Sequence, residues 1–312
     1  MFGLIIGSFL NVCISRLPQG KSVVRPSSRC PRCGKSIRPY DNIPVLSYFF
    51  LAGKCRACKM RISPVYPAVE LLTGLLFLGC YLLFGTTIEC SKWAVFASLM
   101  IVLAFTDMQE RTLPDVVNLF GFVLGIFFSL AATPVHGPAL KLSELLFAYP
   151  PSDRVLSLLN ALAGAALGSG ILIFVPMFYF WLKGVYLSFR RGSFRLKGLP
   201  WQKGMGMGDV KMMAMVGAYL GIWMTILTIL VGSLLGSILG FGLIAALFLF
   251  GWKRNAAERA SRMGLGNANK LRFVLATRYQ LPFGTYLSIA ALLVVFFGTP
   301  VVTWYQSLFV MR

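Results

Sequence analysis

The chain has 312 residues, a hydrophobic fraction of 57% and a mean hydropathy of +0.74. A soluble protein of this size could not keep so much apolar surface out of water, so the composition indicates a polytopic membrane protein. The net charge of +20 does not indicate a nucleic-acid-binding protein, because Lys and Arg cluster in the short segments between apolar runs. Loops that face the anionic lipids of a cytoplasmic leaflet have this distribution.

Eight apolar runs along the chain predict eight membrane-spanning helices. The runs fall at about residues 1–15, 67–84, 93–106, 116–132, 155–182, 210–223, 225–250 and 283–309. The uncharged stretch 212–250 is too long for one span, since roughly 20 residues cross the hydrocarbon core, and we divide it near Gly221-Ile222-Trp223. The predicted fold is therefore an all-α polytopic membrane protein with its N-terminus outside.

The positions of Lys and Arg predict which side of the protein faces the cytoplasm. With eight spans, all but four of the 30 Lys and Arg residues fall on one side, which is then the cytoplasmic side. The four exceptions are Lys92, Lys141, Arg154 and Arg312. The cytoplasmic side includes residues 16–66 and two long basic loops, 184–208 and 251–281. These loops have two open interpretations, contact with lipid head groups or binding of a substrate or partner.

Two CxxC pairs lie in the first cytoplasmic segment, Cys30-Pro31-Arg32-Cys33 and Cys55-Arg56-Ala57-Cys58. Each pair places two thiolates on one side of a tight turn, and two such turns supply the four tetrahedral ligands of a zinc site. Gly34 follows the first pair and suits the left-handed conformation of such a turn. We therefore predict a structural Zn²⁺ ion bound by Cys30, Cys33, Cys55 and Cys58. Disulfides are the alternative, but the cytoplasm is reducing.

Asp107 and Asp209 are predicted to lie at the cytoplasmic ends of two spans that are far apart in the sequence. Asp107 ends the third span, and Asp209 begins the sixth, so helix packing could bring their side chains together. Two close carboxylates share a proton, and one can then activate water while the other polarises a carbonyl group. The glycines before Asp209 leave the backbone bare, so that an extended peptide could approach.

Helix dipoles give a first hypothesis for the roles of the two acids. Asp209 near a helix N-terminus would favour its charged form, and Asp107 near a helix C-terminus would favour its neutral form. Taken singly, the two residues also have structural interpretations, as an N-cap carboxylate and as an interfacial acid flanking a span. Asp115 follows Leu113-Pro114 and is predicted to be structural, as an acid in a first helical turn.

Six motifs extend over nearly the whole chain. They are GSFLNVCISRLP (7–18), the double CxxC with YDNIPVLSYFFLAGKC (40–55) between its halves, YPAVELLTG (66–74), TDMQERTLPD (106–115), GMGDVK (206–211) and PFGTYL (282–287). With these motifs the chain resembles the bacterial prepilin peptidases, the type IV leader peptidase family of membrane aspartyl proteases. PFGTYL differs from the family pattern in having Thr285 where proline is more frequent.

The resemblance implies that Asp107 and Asp209 are the catalytic pair of a GxGD-type fold, with Gly206, Gly208 and Lys211 as supporting residues. It also implies cleavage of prepilin or pseudopilin leaders after a glycine, at the cytoplasmic face of the bacterial inner membrane. Many members of the family methylate the new N-terminal amine with S-adenosylmethionine, and the cysteine-containing region is associated with that step. Both activities are therefore expected, although the sequence does not indicate which residues bind the methyl donor.

The prediction divides the chain into three parts. Residues 1–15 form the first transmembrane helix, residues 16–66 form a cytoplasmic zinc-binding insert with four cysteine ligands, and residues 67–312 form a seven-helix peptidase domain. Glu70 opens the second span and could support the site by positioning an amine or the methyl donor, or could cap its helix. Two other functions remain open, a proton-coupled transporter, with intramembrane acids near the bilayer midplane, and a non-catalytic secretion assembly factor.

Overall fold

The computed structural model describes residues 1–30, 32–131, 152–191, 206–249 and 282–310. Its α-helices are α1 (Phe2–Arg16), α2 (Leu46–Phe50), α3 (Val65–Phe84), α4 (Ile88–Glu110), α5 (Asp115–Ala131), α6 (Asp153–Arg191), α7 (Met207–Leu249) and α8 (Phe283–Val310). Extended segments pair in the described residues only as two isolated bridges, Arg29 with Ser36 and Lys54 with Arg61. The prediction of an all-α fold is confirmed.

Five of these helices are long and apolar enough to cross a membrane, namely α1 with the turn that follows it, α3, α4, α6 and α7. The shorter apolar helices are α5 and the part of α8 at Phe283–Gly298. Large apolar side chains such as Leu82, Phe120 and Phe241 are exposed on these helices, as lipid-facing surfaces require. The protein is therefore an integral membrane protein.

Helix α7 reverses direction at Gly221 and so supplies two antiparallel segments. Gly221 has φ 71° and ψ −174°, a conformation that residues with a Cβ rarely adopt. Met212, before the turn, and Gly236, after it, both contact the first two turns of α8. Met224, beside the turn, instead lies next to Gly298, farther along α8. The predicted division of this stretch is confirmed, and the described helices provide eight apolar segments.

Helix α6 packs against α7 near Gly221, and the backbones of the two helices are in direct contact. A Cβ on Gly217 would collide with the carbonyl oxygen of Gly164. Small residues at such a contact let membrane helices approach each other. At the turn itself, the N–H of Ile222 donates to Oδ1 of Asn160 at 3.2 Å. This bond satisfies a backbone donor that the broken helix leaves free.

Helix α6 continues to Arg191, so the first residues of the predicted loop 184–208 are helical. Residues 192–205 of that loop, and the whole of the predicted loop 251–281, lie outside the described residues. The basic character of these loops remains a sequence observation.

The best-buried part of the core surrounds α4. Phe96, Met100 and Leu103 of α4 are fully buried, together with Met212 of α7 and Leu287 of α8. This packing brings the C-terminal end of α4 to the N-terminal ends of α7 and α8. Three helix ends from distant parts of the sequence therefore meet at one place.

Candidate active site and cysteine cluster

Asp107 and Asp209 lie beside each other where these helix ends meet. A Cβ built on Gly284 would be 3.1 Å from Oδ2 of Asp107 and 3.0 Å from Oδ1 of Asp209. The two oxygens are therefore separated by at most the sum of these distances and border the same small space at Gly284. Asp107 is in the last turn of α4 and buried, and Asp209 is in the first turn of α7 and partly buried.

Gly284 and Thr285 of α8 complete the surroundings of the pair. Gly284 has no side chain, so the space between the two carboxylates stays open. The backbone N–H of Thr285 donates to Oδ2 of Asp107 at 2.7 Å, and the hydroxyl of Thr285 lies 3.1 Å from the same oxygen. The sequence does not mark either residue as a site residue, although both belong to the PFGTYL motif, which is the available signal.

The predicted supporting residues of the GMGDVK motif hold the start of α7. The carbonyl oxygen of Gly206 accepts the N–H of Asp209 at 3.0 Å. A Cβ on Gly208 would lie 2.9 Å from Cβ of Leu113, so glycine lets α7 begin against the α4–α5 connection. At both glycines it is the backbone, and not a side chain, that makes the contact.

Lys211 extends away from the carboxylate pair. Its Nζ lies 2.6 Å from Oδ2 of Asp115, and both side chains are largely exposed. Asp115 is the first residue of α5, in the helix-end position that the sequence predicts for it. The ion pair connects the start of α5 to the start of α7, near the contact between Leu113 and Gly208.

Glu70 connects the segment between the first two membrane helices to α3. Its Oε2 accepts the backbone N–H of Val45 at 2.7 Å. Val45 has φ 63° and ψ −51°, which is unusual for a β-branched residue. Glu70 is the sixth residue of α3, and no acidic residue lies in the first turn of that helix. The alternative that Glu70 caps its own helix is therefore wrong, and its carboxylate stabilises a strained backbone instead.

The four cysteines of the two CxxC pairs form a cluster that could hold a metal ion. Their sulfur atoms all lie within 4.8 Å of one another, and Sγ of Cys30 is 3.7 Å from Sγ of Cys58. Four thiolates about 2.3 Å from a tetrahedral zinc ion are about 3.8 Å apart. All four cysteines are free thiols, so the disulfide alternative does not describe this structure.

The two CxxC turns repeat the same backbone geometry. The N–H of Gly34 donates to the carbonyl oxygen of Cys30 at 2.9 Å, and the N–H of Lys59 donates to that of Cys55 at 3.0 Å. Gly34 has φ 67° and Lys59 has φ 57°. The predicted left-handed glycine is therefore present in the first turn, whereas a lysine adopts the equivalent conformation in the second.

Backbone donors in these turns favour the thiolate form that binds metal. The N–H groups of Cys33 and Arg32 lower the pKa of the Cys30 thiol to about 6. The pKa of Cys55 is also lowered, chiefly by the N–H group of Cys58. The pKa of the Cys58 thiol is instead raised to about 11, by desolvation and by hydrogen bonds with the other cysteines. The donor set and its spacing fit a four-coordinate soft metal ion.

Comparison with known proteins gives a consistent result over most of the chain. Residues 1–84 match the bacterial peptidase A24 N-terminal domain, and residues 94–241 match the type IV leader peptidase family. The prepilin leader peptidase/N-methyltransferase of Pseudomonas aeruginosa is 31% identical, with 98% of this chain and 91% of that protein aligned. The protein of the same name from Bacillus subtilis is 29% identical, over 98% and 95%.

A third relative of the same name, from Myxococcus xanthus, is 37% identical over 74% of this chain, and the alignment spans only 57% of that longer protein. No solved structure matches the chain significantly. The two matched families, and the two relatives that align over nearly their full length, lead to one conclusion. The chain belongs to the type IV leader peptidase family.

Proposed function

We propose that this protein is a membrane aspartyl endopeptidase that removes the leader of type IV prepilins or pseudopilins by cleavage after a glycine. The observation that carries the proposal is the pair Asp107 and Asp209, which face each other across the open space at Gly284. The names of the relatives, prepilin leader peptidase/N-methyltransferase, support the same substrate class. Acids at helix ends, and not at mid-span, argue against a proton-relaying transporter.

The reaction needs only the two carboxylates, one shared proton and water. One carboxylate takes a proton from water as the water oxygen bonds to the scissile carbonyl carbon, and the other gives its proton to the carbonyl oxygen. The resulting gem-diol then collapses. The carbon–nitrogen bond breaks, the first acid protonates the leaving nitrogen, and the second carboxylate recovers a proton from the diol. No covalent enzyme intermediate forms.

The substrate would reach the pair as an extended peptide beside the backbone at Gly206–Gly208. Glycines leave the N–H and carbonyl groups of this segment accessible for pairing with a peptide strand. The side chain of Leu113 lies against Gly208 and so helps to fix the position of this segment relative to the carboxylates.

The second proposed activity is methylation of the new N-terminal amine by S-adenosylmethionine. When bound, S-adenosylmethionine would supply a methyl group to the amine nitrogen, which would lose a proton. The cysteine cluster would hold Zn²⁺ as a closed four-thiolate site, which stabilises the fold of residues 16–66 and leaves no position for substrate. We assign no residue to the methyl donor.

The proposed arrangement places both activities on the cytoplasmic face of the bacterial inner membrane. The short connection between α3 and α4 means that the start of α3 and the end of α4 lie at the same end of the bundle. The cysteine cluster, which precedes α3, is then on the same side as Asp107. The excess of Lys and Arg on this side supports its cytoplasmic orientation. Residues 16–66 would form the methyl-transfer insert, and residues 67–312 the peptidase domain.

One experiment tests both activities. The purified protein in detergent is incubated with a type IV prepilin and S-adenosylmethionine, and the product is analysed by intact mass. We expect loss of the leader and a gain of one methyl group. An uncleaved prepilin would overturn the peptidase proposal, and a cleaved product without the methyl group would overturn the second activity alone.

A further inference from the structure

The short helix α2, in the segment that carries the cysteine cluster, has an exposed apolar face. Its large side chains Leu46, Phe49 and Phe50 are 56%, 71% and 85% exposed. Residues three and four positions apart lie on the same side of a helix, so these three side chains form one continuous surface, the α2 face. An exposed apolar surface of this kind indicates contact with a partner or with lipid.

A hydrogen bond fixes the depth of α2 relative to the membrane. Val45 precedes α2, and its N–H donates to Oε2 of Glu70, the sixth residue of α3. Helix α3 is a candidate membrane span over Val65–Phe84, and its sixth residue lies about 7.5 Å from its start. Side chains of a helix lean toward its N-terminus, so the bond brings Val45 to the level of the first turns of α3. Helix α2 therefore begins at the boundary between membrane and water.

Helix α1 gives the same depth for Glu70. A Cβ built on Gly7 would be 2.7 Å from Cα of Glu70, so Glu70 packs against the middle of α1. Gly7 is about 14 Å along the helix from Arg16, the last residue of α1. Helix α1 with its following turn is itself a candidate span. Two membrane helices thus place Glu70 inside the membrane, and the segment bonded to it lies at the membrane surface.

The charges that follow α2 favour lipid as the occupant of the α2 face. Residues 43–64 contain four charged side chains, all of them basic and exposed: Lys54, Arg56, Lys59 and Arg61. Arg56 pairs with Asp41, and the other three can contact the phosphate groups of anionic lipids. An aromatic and aliphatic face next to basic residues is typical of a helix that lies in the membrane interface. A water-soluble partner would not reach the face at this depth.

We propose that the α2 face is a membrane anchor, which inserts Leu46, Phe49 and Phe50 between the head groups and acyl chains beside the start of α3. The anchor is independent of the proposed peptidase and methyltransferase activities. It also positions the second CxxC turn. The N–H of Gly53 donates to the carbonyl oxygen of Tyr48 in α2 at 2.8 Å, and this turn begins two residues later. The anchor therefore holds the cysteine cluster at the membrane surface.

Tryptophan fluorescence in lipid nanodiscs tests the anchor. The full-length protein is placed in phosphatidylcholine and phosphatidylglycerol whose acyl chains are either plain or brominated, since bromine quenches tryptophan on contact. The emission of the wild type is subtracted from that of each variant. We expect the emission added by Phe50→Trp and by Leu46→Trp to fall by at least about half in brominated lipid. Ile37→Trp is the control, because Ile37 is exposed in the same segment but lies outside the α2 face, and its added emission should fall by less than about a tenth.

Three outcomes would overturn the proposal. One is unchanged emission of both Phe50→Trp and Leu46→Trp in brominated lipid, and testing two positions guards against a substitution that perturbs α2. Another is equal quenching of Ile37→Trp and Phe50→Trp, because the α2 face would then have no special contact with lipid. The third is emission that brominated lipid leaves unchanged but an added prepilin alters, since the face would then dock the apolar segment of a substrate.

Discussion

The cysteine cluster and the carboxylate pair are built in opposite ways. The cluster comes from two copies of one turn within the same short insert, and each turn is closed by its own backbone hydrogen bond. The pair comes from the ends of three helices, and its geometry depends on how α4, α7 and α8 pack. A local site of the first kind should tolerate changes in the membrane core, whereas the second kind should not.

The largest effect is expected from substitutions that disrupt the carboxylate pair and leave the cysteine cluster unchanged. We expect Asp107→Asn and Asp209→Asn each to lower prepilin cleavage by at least about a thousandfold, because general acid and base catalysis both need an ionisable group. Asp115→Asn is the matched control, since Asp115 pairs with Lys211 on the exposed surface, and it should retain most activity. Cleavage is measured by intact mass, and the metal content should be equal in all three variants.

Full cleavage by either asparagine variant would contradict the dyad mechanism. A loss of metal in these variants would instead show that the two sites are not independent, even though the catalytic assignment survived.

A methyl group at Gly284 should be nearly as damaging. The added Cβ in Gly284→Ala would lie 3.0 and 3.1 Å from carboxylate oxygens of Asp209 and Asp107. It would push the two carboxylates apart and displace water between them, so we expect about a hundredfold lower kcat. Gly170→Ala is the control, since a Cβ there meets nothing within 4 Å and alanine favours the helix. Equal effects of the two substitutions would refute the special role of Gly284.

Removing one cysteine should separate the two activities. We expect Cys30→Ser to lose most of its bound metal, because the variant offers three thiolates where a closed zinc site needs four. Methylation of the product should fall with the metal, while cleavage at the carboxylate pair, which is built from other helices, should largely remain. Metal analysis should find about one equivalent of zinc in the wild type. Wild-type protein without bound zinc would exclude the site.

Sequence patterns predict the local site better than the assembled one. The CxxC spacing alone predicts that the four sulfur atoms form a cluster, because each pair is a single turn. Asp107 and Asp209 were paired through the topology, which needed the division of a long uncharged stretch near Gly221 and the distribution of Lys and Arg. That division succeeds because membrane thickness limits the length of one span.

The sequence could not show which further residues approach the pair. Thr285 is 178 residues from Asp107 in the chain, and only the packing of α8 against α4 brings its N–H to the carboxylate. The C-terminal extent of α6 was missed for a different reason. Lys183, Arg190 and Arg191 read as the start of a basic loop, but a helix can continue beyond the apolar layer with charged side chains. The hydrogen bond between Glu70 and Val45 joins residues that are 25 positions apart in the chain, and no sequence pattern predicts it.

The smallest effect is expected on metal affinity, from substitutions that exchange the left-handed residues of the two CxxC turns. Gly34 and Lys59 occupy equivalent left-handed positions, and a residue with a Cβ is less stable there than glycine by about 1 kcal/mol. We therefore expect Lys59→Gly to hold metal a few-fold more tightly in competition with a chelator, and Gly34→Ala to hold it a few-fold less tightly. Lys59→Ala keeps the strain while removing the charge, and it should match the wild type. A gain in Lys59→Ala equal to that in Lys59→Gly would mean that the positive charge, and not the backbone, limits metal binding in the second turn.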